Sequence, residues 1–361
     1  MRILVGARRG VLSSSRVRNL MNSTRKVFAG MCLVVWMYAG AAARAQEPED
    51  IDLSAKQRIL PTIGPGLRAV RQGADGRLYV LASPSPGLVV VDTKGKQLLS
   101  INETPTAADS AAASHSLITF GDDFDVDGQG NIYVADRGAN LIRIFSGDGT
   151  PLRSFAVKNP ISVAAMPEEE IAVATLREPH LVIMFDKNGK EVREFGDPEE
   201  LSERADLNRF LNIGQLGTDA QGHLYYAFGY LPEPTVRQYD HLGYSGQEIQ
   251  YTAIDALPTA VAMRKEIERQ EQKTKEPFFR RVLTGLGVDR SNGEVWIALN
   301  NNLLHFDAAG TRLATYKIYT PQGARLEANT ILIQKDQLIV GSDPLGLYLF
   351  TRPDKKNAKR E

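Results

Sequence analysis

The sequence predicts an all-β protein, a six-bladed β-propeller built from four-stranded antiparallel blades within a chain of 361 residues. Three observations carry that expectation. A short hydrophobic run recurs six times after a turn-forming stretch, the full copies repeat at roughly 40 to 45 residues, and each copy holds several strand and turn signals. The clearest copy is Gly130-Asn131-Ile132-Tyr133-Val134-Ala135-Asp136, which continues into Leu141-Ile142-Arg143-Ile144-Phe145. The others fall at 77–81, 170–174, 223–227, 294–298 and 337–341. A single twisted sheet of four strands leaves both faces wet, so such blades become stable only when neighbours stack around a ring.

The second repeat shows the internal order. A strand near 124–126 meets the turn Asp127-Gly128-Gln129-Gly130, then a strand at 132–136, a loop at 137–140, a strand at 141–145, a turn at 147–150 and a strand at 151–155. Asp-Gly and Gly-rich turns suit hairpins because glycine adopts positive φ without strain. Asp92, Asp186, Asp240 and Asp307 each end a third strand before such a turn, so they are expected as turn residues and not as ligands. The sixth repeat stops after its third strand at 347–350, and an unpaired edge needs a partner. Residues 58–63 are the natural supplier, closing the ring with a strand from the N-terminus. Between blades four and five lies the longest insertion, at about 257–283, where 257–275 reads as a surface helix with Thr259 as its N-cap. Val261, Ile267, Phe278 and Phe279 are the residues expected to dock it. A shorter helix is expected at 199–211.

The ends of the chain have a different composition. Residues 1–45 carry a basic segment ending at Arg25-Lys26, an apolar run at 27–43 and the small-residue site Ala43-Arg44-Ala45, which reads as a cleaved signal peptide for a secreted or periplasmic protein. An uncleaved anchor at the same run is the alternative, and Met21 is an alternative start. After cleavage no stable membrane insertion is expected. Residues 46–56 read as a linker, 57–353 as the propeller and 354–361 as a disordered tail. The single cysteine, Cys32, lies inside the apolar run, so a thiol nucleophile or thiolate metal site is excluded from the remainder. Removing 1–45 leaves 35 Lys and Arg against 43 Asp and Glu, a balance of −8. Such an acidic exported chain is poorly suited to nucleic acid.

The repeats resemble those of the NHL-type six-bladed propellers over roughly 57–350, most closely across 130–155. That resemblance implies a fold shared by protein and RNA binders, lactone hydrolases and lyases, so it does not choose an activity. The NHL-like amidating lyases bind zinc through several inner histidines. No such set is found among His115, His180, His223, His241 and His305, and the Glu, Asn and Asp metal set of the lactonase-type propellers has no recognisable counterpart.

Connection lengths place the expected site. Turns joining strands one to two and three to four are minimal, whereas connections on the other face are long, at 102–120, 196–213 and 251–285. A broad face of long loops on a rigid scaffold is the usual place for recognition. The binding residues expected there are Asp123, Asp125, Arg137, Asn140, Arg177, His180, Tyr230, Asn301 and Asp343. The ligand expected is a protein, peptide or carbohydrate, because Arg offers a fixed fork of donors to polar and anionic groups. No cofactor is expected; Ca²⁺ is the one ion that Asp123, Asp125 and Asn140 could take, since hard cations need converging oxygens. The favoured reading is a binding or scaffold module. Its alternative is a metal-dependent hydrolase or lyase at the channel mouth, using Asp123 or Asp125 with Asn140 and His180.

Overall fold

The computed structural model describes residues 50–83, 86–101, 118–176, 179–273 and 275–353. The expected signal segment, the 354–361 tail, His115 and Arg177 lie outside the described residues. Six sheets form the blades. Blade one comprises Leu67–Gln72, Leu78–Ala82, Gly87–Val91 and Gln97–Ile101; blade two Gly121–Val126, Ile132–Asp136, Leu141–Phe145 and Pro151–Ala156. Blade three is made of Pro160–Ala165, Ile171–Thr175, Val182–Phe185 and Glu191–Phe195, and blade four of Gly214–Thr218, Leu224–Phe228, Thr235–Tyr239 and Ser245–Gln250. Gly285–Val288, Val295–Leu299, Asn302–Phe306 and Arg312–Tyr319 belong to blade five, and Thr330–Ile333, Gln337–Ser342 and Gly346–Thr351 to blade six. Within each blade the consecutive strands pair antiparallel, and the first strand lies innermost.

Two local signals repeat and account for the regularity. At the turn between the third and fourth strands, Asp92 accepts the backbone N–H of Lys94 (2.9 Å) and Lys96 (2.8 Å). Asp186, Asp240 and Asp307 accept the corresponding pairs of amides, so all four aspartates are turn residues, as their positions imply. Gly130 closes the blade-two hairpin at φ 87°, a value that would strain any residue carrying a Cβ.

Burial between blades supplies the core. Tyr79, Leu81, Leu88 and Val90 of blade one interdigitate with Phe124, Val134 and Phe145 of blade two, and equivalent apolar layers separate the other pairs. Each fully buried side chain of this size contributes roughly 1.5–3 kcal/mol, which explains why the middle strands are apolar on both faces.

Ring closure follows the expectation, with one addition. Gln57–Ile59 pairs antiparallel with Leu347–Leu349 and supplies the fourth strand of blade six. Upstream, within the segment expected as a linker, Asp50–Ser54 forms a strand parallel to Arg312–Tyr319 and gives blade five a fifth strand. The eight residues of Arg312–Tyr319 would otherwise expose a long row of unpaired backbone groups. Leu53 packs beside Tyr316 and Ile318, and Asp50 pairs with Lys317 at 2.9 Å.

The insertion is helical over Leu257–Glu271, and a second helix spans Ala205–Leu211. Its first turn begins two residues before the expected cap, with Pro258 accommodated where its missing N–H leaves no broken bond. Ile267 and Phe279 dock it, together with Met263, Val282, Leu207 and Leu211. Val261 and Phe278 do not; they remain exposed.

Candidate functional site

The central channel is lined by the edges of six sheets, and edge amides need partners. Neighbouring blades supply them. Thr330 Oγ1 accepts the N–H of Val70 (3.2 Å), Ser162 Oγ that of Leu216 (2.9 Å), and Asp125 Oδ2 that of Ala165 (2.9 Å). Asp123 and Asp125, two residues apart on the inner strand of blade two, both turn inward as strand alternation requires.

Their partners are cationic. Arg71 of blade one donates to Asp123 Oδ1 at 3.0 Å, and its Nε lies 3.7 Å from Asp125 Oδ1. Arg290 of blade five reaches across the ring to the same Asp125 oxygen at 3.1 Å, and Ser162 donates to Asp123 Oδ2. Burial pushes the Asp123 carboxyl above its usual range, with Arg71 and Ser162 acting in the opposite direction. A divalent ion placed here would meet two guanidinium groups, so Asp123 and Asp125 do not fit a Ca²⁺ shell. Among the described residues no three His, Cys, Asp or Glu side chains converge to hold a metal. Asn140, the third expected ligand, accepts the Asn159 N–H at 2.8 Å through its side chain and takes no part in the network.

A cavity opens on the face of the short turns. It holds about 590 Å³ and is lined by Val70, Leu286, Val288 and Ile333 together with Arg71, Asp125 and Arg290. Register explains its shape. Arg71 lies opposite Tyr79 and Asp125 opposite Tyr133, equivalent places in two repeats, whereas the same layer holds Gly217 and Gly287 in blades four and five. Those glycines bring no side chain to the channel; a Cβ on Gly287 would lie 2.5 Å from Ile333. Deeper in, beside Arg68, Asp123, Gln215 and Asn329, the open space narrows to about 10 Å³, room for a single water.

The long-loop face is organised differently, because its connections fasten neighbouring blades to one another. Asp343 accepts the Gly66 N–H at 2.9 Å, and Asn329 donates to the Leu67 carbonyl at 2.6 Å. Phe120 is flanked by the guanidinium groups of Arg68 and Arg137 at 5.1 and 5.0 Å, and Arg137 also pairs with Asp122. Tyr230 packs edge-on against Phe210 and accepts a hydrogen bond from Arg281, so it anchors the insertion. Asn301 accepts the Ile318 N–H through its carbonyl. His180 lies in a groove of about 420 Å³, formed with Asp197, Glu199, Asn208, Arg209 and Asn212. Its Nδ1 is buried without a hydrogen-bond partner among the described residues. The expected site residues thus separate into a channel pair, a groove residue and several that fasten loops.

Helix Leu257–Glu271, packed on Leu207 and Leu211, buries Ala260, Met263 and Ile267 but leaves Leu257 and Val261 outward. Phe278, on the same insertion, is 81% exposed, and Ile254, just before it, 74%. Arg71 and Arg290 are the functional candidates that the sequence reading missed. Aligning the inner strands of repeats one and two would have placed Arg71 level with Asp125, opposite in charge and facing the same channel.

No protein-family model matches the chain, and no curated protein matches it. Among solved structures, a gluconolactonase from Xanthomonas campestris is 14% identical, covering 81% of this chain and 87% of its own, with a TM-score of 0.51. A streptogramin B lyase is 12% identical over 81% and 85%, at a TM-score of 0.48. Virginiamycin B lyase from Staphylococcus aureus is 11% identical over 81% and 87%, at 0.47. The likeness to the gluconolactonase supports the six-bladed fold and, at that identity, nothing about chemistry.

Proposed function

We propose that this NHL-like propeller is a binding module that recognises a protein or peptide through its long-loop face, and that residues 1–45 direct its export. One observation carries the reading: the connection at 251–285, which the six blades do not need for closure, leaves Ile254, Leu257, Val261 and Phe278 exposed to solvent. Exposed apolar side chains on one long connection suit a partner with its own apolar face. The metal-enzyme alternative gains no support, since its carboxylates are engaged by arginines and His180 lies in a different cavity.

Peptides selected on the folded protein from a displayed library provide the test, with binding measured on Leu257→Asp, Phe278→Asp and the outer-strand control Leu152→Asp. The reading expects the first two substitutions to weaken binding by about tenfold or more each, as interface anchors do, without lowering Tm. Selected peptides that bind all three variants as tightly as the parent would refute it.

A further inference from the structure

We propose that the mouth on the short-turn face is a second binding site, taking a small organic carboxylate with an apolar body. It lies on the opposite side of the ring from the recognition surface and is independent of it. The cavity of about 590 Å³ falls within the range of small-molecule sites, and its walls are mixed in the way such sites require. Val70, Leu286, Val288 and Ile333 form an apolar lining around the charged groups.

The balance of engaged and available groups gives the sign of the ligand. Asp127 is taken by Asn131 Nδ2 (2.8 Å), the Tyr133 hydroxyl (2.9 Å) and turn amides. Asp289 is bound by Ser291 and lies 2.6 Å from Arg352. Asp125 is shared by Arg71 and Arg290 and also accepts the Ala165 N–H. The carboxylates of the mouth are therefore occupied. Arg290 is different: its side chain is 48% exposed, and Asp125 is its only side-chain partner among the described residues. Most of its donor fork stays open to the cavity, and the exposed Lys335 stands on the same rim. An incoming carboxylate can take the open edge of Arg290 in a bidentate pair without displacing Asp125, while its hydrocarbon part covers the apolar wall.

Ligand-observed NMR titration tests this with two pairs of probes, hexanoate against hexanamide and N-acetyl-leucine against its amide. Each acid is expected to bind at least about tenfold more tightly than its amide, and Arg290→Ala is expected to weaken the acids by a similar factor. Arg280→Ala, on the long-loop face, should leave binding unchanged. Tighter binding of N-acetyl-leucine than of hexanoate identifies a peptide C-terminus as the source of the carboxylate; equal or reversed order identifies a free acid. Should Arg290→Ala lower Tm, Lys335→Ala provides the same reading from an exposed position. The proposal fails if neither acid binds, if acids and amides bind alike, or if binding survives both substitutions.

Discussion

The two faces of the ring differ in what their connections do. On the long-loop face the connections fasten neighbouring blades to each other, with Asp343 holding Gly66, Asn329 holding Leu67 and Phe120 set between Arg68 and Arg137. On the other face the turns are minimal, and there the channel opens into a cavity of about 590 Å³. Loop length therefore marks where surface is elaborated, and a concave site can form without it. In this molecule the elaborated face carries a groove and an apolar ridge, and the plain face carries the charged funnel.

Breaking the charged funnel should produce the largest effect. Asp125→Ala leaves Arg71 and Arg290 without their shared carboxylate and an inner-strand amide without its acceptor. The expected loss is about 3 kcal/mol, the usual consequence of removing one partner from a buried ion pair. A thermal unfolding curve reads it directly. Asp343→Ala on the opposite face removes one hydrogen bond at an exposed position and should cost about 1 kcal/mol. Equal losses would mean that the channel network is no more than a surface contact.

Next in size is Ile267→Ala beneath the insertion, expected to cost about 2 kcal/mol. Because the blades close without this helix, the loss should be local. Hydrogen exchange should accelerate across 257–271 while the blade strands keep their protection. Acceleration throughout the ring would show that the insertion is part of the core and not an added recognition element.

A smaller effect belongs to the hairpins of the plain face. Gly130→Ala introduces a Cβ at positive φ with no atom within 4 Å to clash, so the cost is conformational alone, about 1 kcal/mol. Acid titration probes the neighbouring aspartate turns. Asp92 is held below its ordinary value of 3.8 chiefly by the Lys96 amide, and Asp186 likewise by the Lys190 amide. Their stabilisation is complete above the unfolded value of 3.8 and disappears as pH falls through the lower folded values. Asp123, raised by burial, works in the opposite sense: its contribution is present below the unfolded value and lost as pH rises through the folded one. Asp92→Asn with Asp186→Asn should therefore flatten the acid limb of a Tm against pH plot, whereas Asp123→Asn should alter it at higher pH.

Much of the fold was legible because its signals are local. Turn aspartates, glycines at positive φ and six runs of paired-strand pattern sit within a few residues of the structure they specify. The ring-closing strand was legible as well, since an incomplete sixth blade demands one. Asp50–Ser54 was not: its alternating Asp and hydrophobic residues resemble an acidic linker, and its partner lies more than two hundred residues away. The site was less legible for the same reason. That Asp123 and Asp125 face the channel follows from alternation, but their engagement by Arg71 and Arg290 depends on which blades confront each other across the ring. Val261 and Phe278 looked like docking residues because they are apolar, and only the packing of Met263 and Ile267 shows that they point away.

The most direct measurement is a hydrogen-exchange footprint of the full propeller with a selected peptide bound. The account predicts protection at 197–212 and 254–279, on the groove and ridge of the long-loop face, with no change at 71–74 and 289–292. Protection confined to the short-turn mouth, with the insertion unaffected, would contradict it.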